Sequence, residues 1–189
     1  RRSAAWNPVE EGIETEGLRH FLTQMPKSDT VQHGRLHHYC SPHSDVLGWV
    51  IERAGKASFA KQFSEHILAP SGGSHAGYIT LDTYGAPRVS GGMCLSLYDL
   101  LLIGEMVRNR GYINKLQVVP SAWIDDITAV RDNSIWRAQH NADGPRLFTT
   151  GNYRSLWYQT GFADQEICGI GIHGQWLWIN PKKELVIVK

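Results

Sequence analysis

Gly169-Ile170-Gly171-Ile172-His173-Gly174-Gln175-Trp176-Leu177-Trp178-Ile179-Asn180-Pro181-Lys182-Lys183-Glu184-Leu185-Val186-Ile187-Val188-Lys189 closes the chain, and its reading decides the fold. Two apolar runs rich in β-branched and aromatic residues flank a short polar stretch with a proline, the pattern of paired strands. The reading is a strand over 172–179, a turn at Asn180-Pro181-Lys182-Lys183, and a strand over 184–188. Pro at the second turn position presets φ for a type I turn. The glycines of 169–175 open the penultimate strand and let another chain or a ligand approach the backbone closely. Such an edge strand can present an N–H to an oxyanion. The same glycines also fit a bulge beside a buried His.

Working back from this pair, Leu156-Trp157-Tyr158 is a further strand candidate. Residues 131–152 hold Asp132-Asn133, Asp143-Gly144-Pro145 and Gly151-Asn152 and read as a long loop. Helices are expected at 121–130, where Pro120 starts the first turn, and from Ser96, a capping-box-like start, to near Gly111. That second helix is apolar around much of its circumference and is expected to be well buried. Residues 74–95 look irregular, with a short strand at 78–81. Helices are also expected at 58–68, at 45–54 with Ser44 as cap and Gly55 as the residue after the end, and at 17–25, stopped by Pro26. Val46, Leu47, Val50, Ile51 and Ala54 keep a helical period. Residues 1–16 read as an irregular acidic surface segment. The fold class is α+β.

The 189 residues, 42% hydrophobic and 20% charged, exclude collagen-like, coiled-coil and low-complexity classes. A compact chain of this length buries roughly 70% of its unfolded surface. Nineteen Lys and Arg against 18 Asp and Glu give a net charge of +1, with no electrostatic case for nucleic acid or an anionic membrane. The longest apolar runs fall far short of the ~18 residues of a spanning helix. Cys40, Cys94 and Cys168 are odd in number and widely spaced, which fits buried free thiols in a reducing compartment and a cytoplasmic location. The chain lacks an initiator Met and its last apolar strand has nothing after it to cover it. The expectation is a segment of a larger protein, cut at both ends.

Four constellations carry chemical possibilities. Tyr39-Cys40-Ser41 stands before a helix start, where amides favour negative charge. Tyr39 is either a general base of lowered pKa or a core tyrosine with its hydroxyl tied to backbone. Ser58-Phe59-Ala60-Lys61 has the Ser-x-x-Lys spacing, in which a Lys one turn on takes the Ser proton. It also fits a helix cap followed by a solvated Lys. His33, His37, His38 and His43 cluster without metal-ligand spacing, so surface or packing roles are expected and no metal. The glycine-rich strand start is the fourth.

Taken in order, Tyr39-Cys40-Ser41 with Asp45-Val46-Leu47 and Glu52-Arg53, Gly91-Gly92 leading to Asp99-Leu100, Trp157, the 169–175 run, Asn180-Pro181 and the last strand resemble the serine β-lactamase and penicillin-binding-protein superfamily. The likeness covers about 6–189 and is nearest the 6-aminohexanoate-dimer hydrolase (nylon-oligomer hydrolase) branch. It implies an antiparallel sheet flanked by helices with an inserted helical region, of which residues 1–189 are the C-terminal portion of a single domain. It implies a serine hydrolase that forms an acyl-enzyme on a small amide or ester substrate, without metal or organic cofactor. Tyr39 would move protons, Ser41 would orient the network, and the Ile172 N–H would complete an oxyanion hole. Trp157, Ser90 and Gly171 would line the pocket. The family's Ser-x-x-Lys precedes Tyr-x-Ser, whereas Ser58 and Lys61 follow it. They are therefore expected to be a decoy, with the nucleophile upstream of Arg1 in a missing N-terminal segment. The family's third motif, Lys or His followed by any residue and Gly, maps onto Gly169-Ile170-Gly171 without its cationic or imidazole side chain, which argues against efficient β-lactam hydrolysis. A carboxylesterase, a DD-peptidase or a non-catalytic binding domain on the same fold are the alternatives.

Overall fold

The computed structural model describes residues 17–27, 32, 34–140, 148–162 and 165–189. The readings made for 1–16, for His33 and for 141–147 of the long loop lie outside the described residues. The chain divides into two compact units, Arg1–Gln32 with His38–Ser64 and Ala76–Leu95, and His33–His37 with Glu65–His75 and Ser96–Lys189. Helices and antiparallel sheets make the whole α+β, as expected.

In the first unit, α1 covers Leu18–Thr23, α2 Ser41–Gly55 and α3 Phe59–Phe63. Strands β1 (Tyr78–Ile79) and β2 (Met93–Cys94) form a small antiparallel pair. Helix α2 starts three residues before the expected Ser44 cap. Cys40 is the extended N-cap residue, and Pro42 in the first turn supplies a preset φ where an N–H would have no partner anyway. The far end also differs from the expectation. Gly55 is still helical and Lys56 takes the left-handed conformation, φ 52. A Cβ on Gly55 would stand 1.8 Å from Gln62 Oε1. Gln62 Nε2 donates to the carbonyls of Ile51 (3.1 Å) and Ala57 (2.8 Å), which ties α3 to the end of α2 and the turn after it. Ser58 is the N-cap of α3, its hydroxyl accepting the Lys61 N–H at 3.3 Å, and Glu52 Oε1 accepts the Phe59 N–H at 2.9 Å. Asp82 does the same for α1: it accepts the N–H of Leu18 (2.6 Å), Ala86 and Tyr84. Burial pushes the Asp82 carboxyl up, but these N–H groups and Arg19 outweigh it and hold it below the usual carboxylate range.

The apolar period of α2 does not mark its inner face. Val46, Leu47, Val50 and Ile51 are 40–55% exposed, and the buried residues are Pro42, Asp45 and Gly48. The inner face is a stripe of small and polar residues because the segment ending at Val89 and Ser90 packs too close for anything larger. A Cβ on Gly48 would sit 2.3 Å from Val89 Cγ2.

In the second unit, α4 (Leu97–Arg108), α5 (Ser121–Thr128) and α6 (Ser134–His140) accompany a small hairpin, β3 (Tyr112–Ile113) with β4 (Leu116–Gln117). A five-stranded antiparallel meander follows: β5 (Asn152–Arg154), β6 (Trp157–Gln159), β7 (Ile167–Ile170), β8 (Trp176–Asn180) and β9 (Leu185–Val188). The β8–β9 register sets Leu177 opposite Val188 and Ile179 opposite Val186. Alternation then gives the sheet two apolar faces. Ile167, Leu177 and Ile179 join Met106, Val107, Ile113, Ile124 and Ile127 in one core, with Val186 and Val188 against it. Gly104 brings α4 onto that face, since a Cβ there would meet Val186 Cγ1 at 2.5 Å. The other face carries Cys168 packed with Trp136 and Phe148, and Tyr153, Tyr158, Ile170, Trp176 and Trp178 around them. Trp136 Nε1 donates to Phe148 O at 2.8 Å.

Ser96 caps α4 as expected, accepting the Asp99 N–H at 3.0 Å. The fully buried Asp99 carboxylate accepts from Ser96 Oγ (2.8 Å) and the Ser74 N–H (3.1 Å), with His75 Nδ1 at 3.5 Å. Helix α4 is buried only on its sheet side; Leu97, Tyr98 and Leu101 are exposed. Helix α6 occupies part of the stretch read as loop, and β5 and β7 had no expectation. The strand expected over 172–179 begins at Trp176 instead. Residues 171–175 form the β7–β8 turn, closed by Gly171 N–H to Gln175 O (2.8 Å) and Gly174 N–H to Gly171 O (3.1 Å), with Gly174 at φ 81. His173 is exposed, so the bulge beside a buried His is not what these glycines build.

Candidate active site

Tyr39 stands immediately before Cys40, the N-cap residue of α2, and Ser41 is the first helical residue. The local cause is the Cys40 backbone, extended at φ −140, followed by Pro42, which turns the chain from strand-like to helical in one residue. Tyr39 is 54% exposed and Ser41 is half-buried. Ser90 belongs to the same unit. Its N–H donates to Asp45 Oδ1 at 2.9 Å, while its Oγ is buried and without a partner among the described residues.

Gly171, Ile172 and Trp157 belong to the second unit. Ile172 is in the β7–β8 turn, 70% exposed, and its N–H meets no acceptor among the described residues. Gly171 is half-buried, and a Cβ there would stand 2.4 Å from Gln175 Oε1, the atom that accepts the His173 N–H at 3.0 Å. A free main-chain donor at the tip of a tight turn is the kind of group that stabilises a developing oxyanion. The Trp157 ring, on β6, is half-buried against the Met106–Ile179 core, so it has a packing role whatever else it does.

The remaining candidates separate cleanly. Ser58 spends its oxygen on a helix cap. His37 packs edge-on between Trp136 (4.9 Å) and Tyr153 (5.1 Å), while His38 and His43 are exposed. Among the described residues no three His, Cys, Asp or Glu side chains stand close enough to hold a metal ion. The cysteines are free, but Cys94 is exposed and Cys40 half-buried, against the expectation that all three are buried. Only Cys168 is buried, its thiol pushed up to about 12 by burial and by Glu166. No helix among the described residues is long and apolar enough to cross a membrane. Asp45 is the residue that motif reading passed over: it was visible as part of the run after Tyr39-Cys40-Ser41, but its contact with Ser90 spans 45 positions and leaves no local signal.

This fold and these segments define a β-lactamase-type chain, and the β-lactamase family model matches residues 2–189; the chain belongs to that family. Its sequence is 29% identical over 188 residues to the 6-aminohexanoate-dimer hydrolase of Paenarthrobacter ureafaciens, covering all of this chain and 46% of that protein. A solved structure from Bacillus anthracis, described as a 6-aminohexanoate-dimer hydrolase, superposes with a TM-score of 0.78 at 24% identity over 90% of this chain and 42% of its own. A structure from Bacteroides dorei described as a β-lactamase gives 0.63 at 21% identity, covering 92% and 57%. These superpositions show the β-lactamase-like fold in partial form. The chain spans about half the length of the relatives it matches.

Proposed function

We propose that this chain is the C-terminal portion of a serine hydrolase that opens an amide or ester bond through an acyl-enzyme, on small substrates like those of the 6-aminohexanoate-dimer hydrolases. Family membership carries the hydrolase reading. The 29% identity to a protein named for a short amide oligomer favours that substrate class. The nucleophile is a serine of a Ser-x-x-Lys motif outside residues 1–189. Tyr39 relays the proton between nucleophile, Lys and leaving group, and its exposed position ahead of α2 supports that role. Ser41 orients this network. The Ile172 N–H donates to the oxyanion, Gly171 keeps its turn tight, and Trp157 and Ser90 line the pocket. The reaction needs no metal and no organic cofactor. Cytoplasmic location stays part of this proposal.

Val46, Leu47, Val50 and Ile51 support the view that more protein packs here, because four neighbouring apolar side chains on one helix face gain by leaving water. The test is hydrolysis of nitrophenyl esters and of 6-aminohexanoate dimer by the intact protein and by residues 1–189 alone. Turnover by the intact protein and none by the piece is the expected result. An inert intact protein refutes the hydrolase reading, and an active piece refutes the placement of the nucleophile.

A further inference from the structure

Helix α1 is six residues long, and Leu18 is its buried residue. A helix this short is not stable by itself, so what fastens it decides whether it forms. Gly17, its N-cap, offers no side chain, and the cap comes from 64 positions away: Asp82 Oδ2 accepts the Leu18 N–H at 2.6 Å. Asp82 Oδ1 accepts the N–H of Tyr84 (2.9 Å) and of Ala86 (2.8 Å), which fixes the carboxylate within its own loop. Gly17 is at φ 92, and a Cβ there would stand 2.7 Å from Tyr84 Cδ2 and 2.8 Å from Asp82 Oδ2, so the approach of α1 to this loop requires glycine.

The second fastening is on α2. Arg19 donates to Glu52 Oε2 at 2.6 Å, and its guanidinium lies over the Trp49 ring, 5.7 Å from the centroid. Trp49 also lines a groove of about 500 Å³ on α2 with Val50, Arg53 and Ala54. Both ties are charged and both are at the first turn of α1. Further along, Phe21 and Leu22 are half-buried and Thr23 is exposed. The fastened position leaves Arg19 Nε buried without a partner among the described residues, a cost that opening removes. Little buried apolar surface and a fastening made of charge mark a segment that opens well below the free energy of global unfolding.

We propose that α1 is a releasable strap of the first unit: it opens and melts as one piece while the rest of that unit stays folded, and its opening uncovers Trp49 in the α2 groove. Asp82 is the principal fastener, because a charged acceptor makes the stronger kind of hydrogen bond. Arg19 is the charged side chain that acts on Asp82, and the N–H groups of Leu18, Tyr84 and Ala86 complete its surroundings. Together they outweigh burial and favour the carboxylate over the acid. The fastening is therefore present at neutral pH and is lost as pH falls through a value below the ordinary Asp range of about 4. The strap does not depend on the hydrolase reading.

The experiment is amide hydrogen exchange, read by NMR on the intact protein and on its Asp82→Ala and Arg19→Gln variants. The probes in α1 are Leu18 and Phe21; the Phe21 N–H bonds to Gly17 O at 3.0 Å and touches neither fastener. The references in the same unit are Gln62, bonded to Ser58 O (3.0 Å), and Thr80, bonded to Gly92 O (2.9 Å). In the wild type, protection at Leu18 and Phe21 should be at least about tenfold lower than at the references. Asp82→Ala should lower it at least about tenfold further, the scale of a bond to a charged acceptor. Gln62 and Thr80 should hold within about twofold. Arg19→Gln leaves the Asp82 bond intact, yet should lower Leu18 and Phe21 by one common factor. Acidifying the wild type toward about pH 3 should reproduce the Asp82→Ala pattern, and the same acidification should do little more to α1 in Asp82→Ala. Wild-type protection in α1 equal to the references would overturn the proposal. So would equal losses at all four amides, different factors at Leu18 and Phe21 in Arg19→Gln, or an unmoved Phe21 in Asp82→Ala. Where Asp82→Ala does not fold, Arg19→Gln and the acid titration of the wild type decide by the same criteria.

Discussion

Tyr39→Phe is expected to lower kcat of the intact protein by about 10²–10⁴-fold, the range for losing a general acid–base group. The substitution removes one hydroxyl from a side chain that is 54% exposed, so packing is barely touched and Tm should stay within a degree or two of wild type. The effect should fall on kcat, because the hydroxyl is asked to move a proton in the chemical step and the ring that remains keeps its contacts. Steady-state kinetics on ester and amide substrates, with circular dichroism to confirm folding, decide it. A Phe variant with near wild-type kcat would remove Tyr39 from the mechanism.

Gly171→Val is the second large effect. The first atoms of the new side chain would collide with Gln175, whose Oε1 stands 2.4 Å and whose Cβ 2.9 Å from a Cβ at this position. Gln175 must then move, and with it the turn that holds the Ile172 N–H in place. Loss of one oxyanion donor costs ~10²–10³-fold in kcat. The turn is at the exposed end of the β7–β8 hairpin, so turnover should drop far more than stability. Gly169→Ala is the matched control. A Cβ at Gly169 meets nothing within 4 Å, and both activity and Tm should hold. Gly171→Val with unchanged turnover would take the oxyanion hole away from this hairpin.

What the sequence made legible follows physical range. The β8–β9 pair was readable because two uninterrupted apolar runs rich in β-branched and aromatic residues flank Asn180-Pro181, which punctuates them. Ser96 was readable because a cap is a contact three residues long, and so was Ser58. The start of α2 was misplaced because Ser44 looks like a cap, whereas Pro42 and the Cys40 backbone begin the helix without any side-chain cap. The inner face of α2 was legible only in reverse. Its large apolar residues point outward, and Pro42, Asp45 and Gly48 are the ones enclosed, since close approach selects small residues over apolar ones. Helix α6 escaped notice because Asp132-Asn133 reads as a turn, while Asp132 in fact receives the Ser134 N–H at 2.9 Å just where the helix begins. Among the site candidates, Tyr39-Cys40-Ser41 and the 169–175 turn stood out as local strings. The Asp45–Ser90 contact joins segments far apart in the chain and needed the fold to be seen.

The most direct measurement is covalent labelling of the intact protein with a fluorophosphonate probe, followed by peptide mapping of the modified serine. An acyl-enzyme mechanism predicts one stoichiometric adduct, on the serine of a Ser-x-x-Lys motif outside residues 1–189, with Tyr39→Phe slowing its formation. An adduct on Ser58, or on any other serine of this chain, would contradict the account.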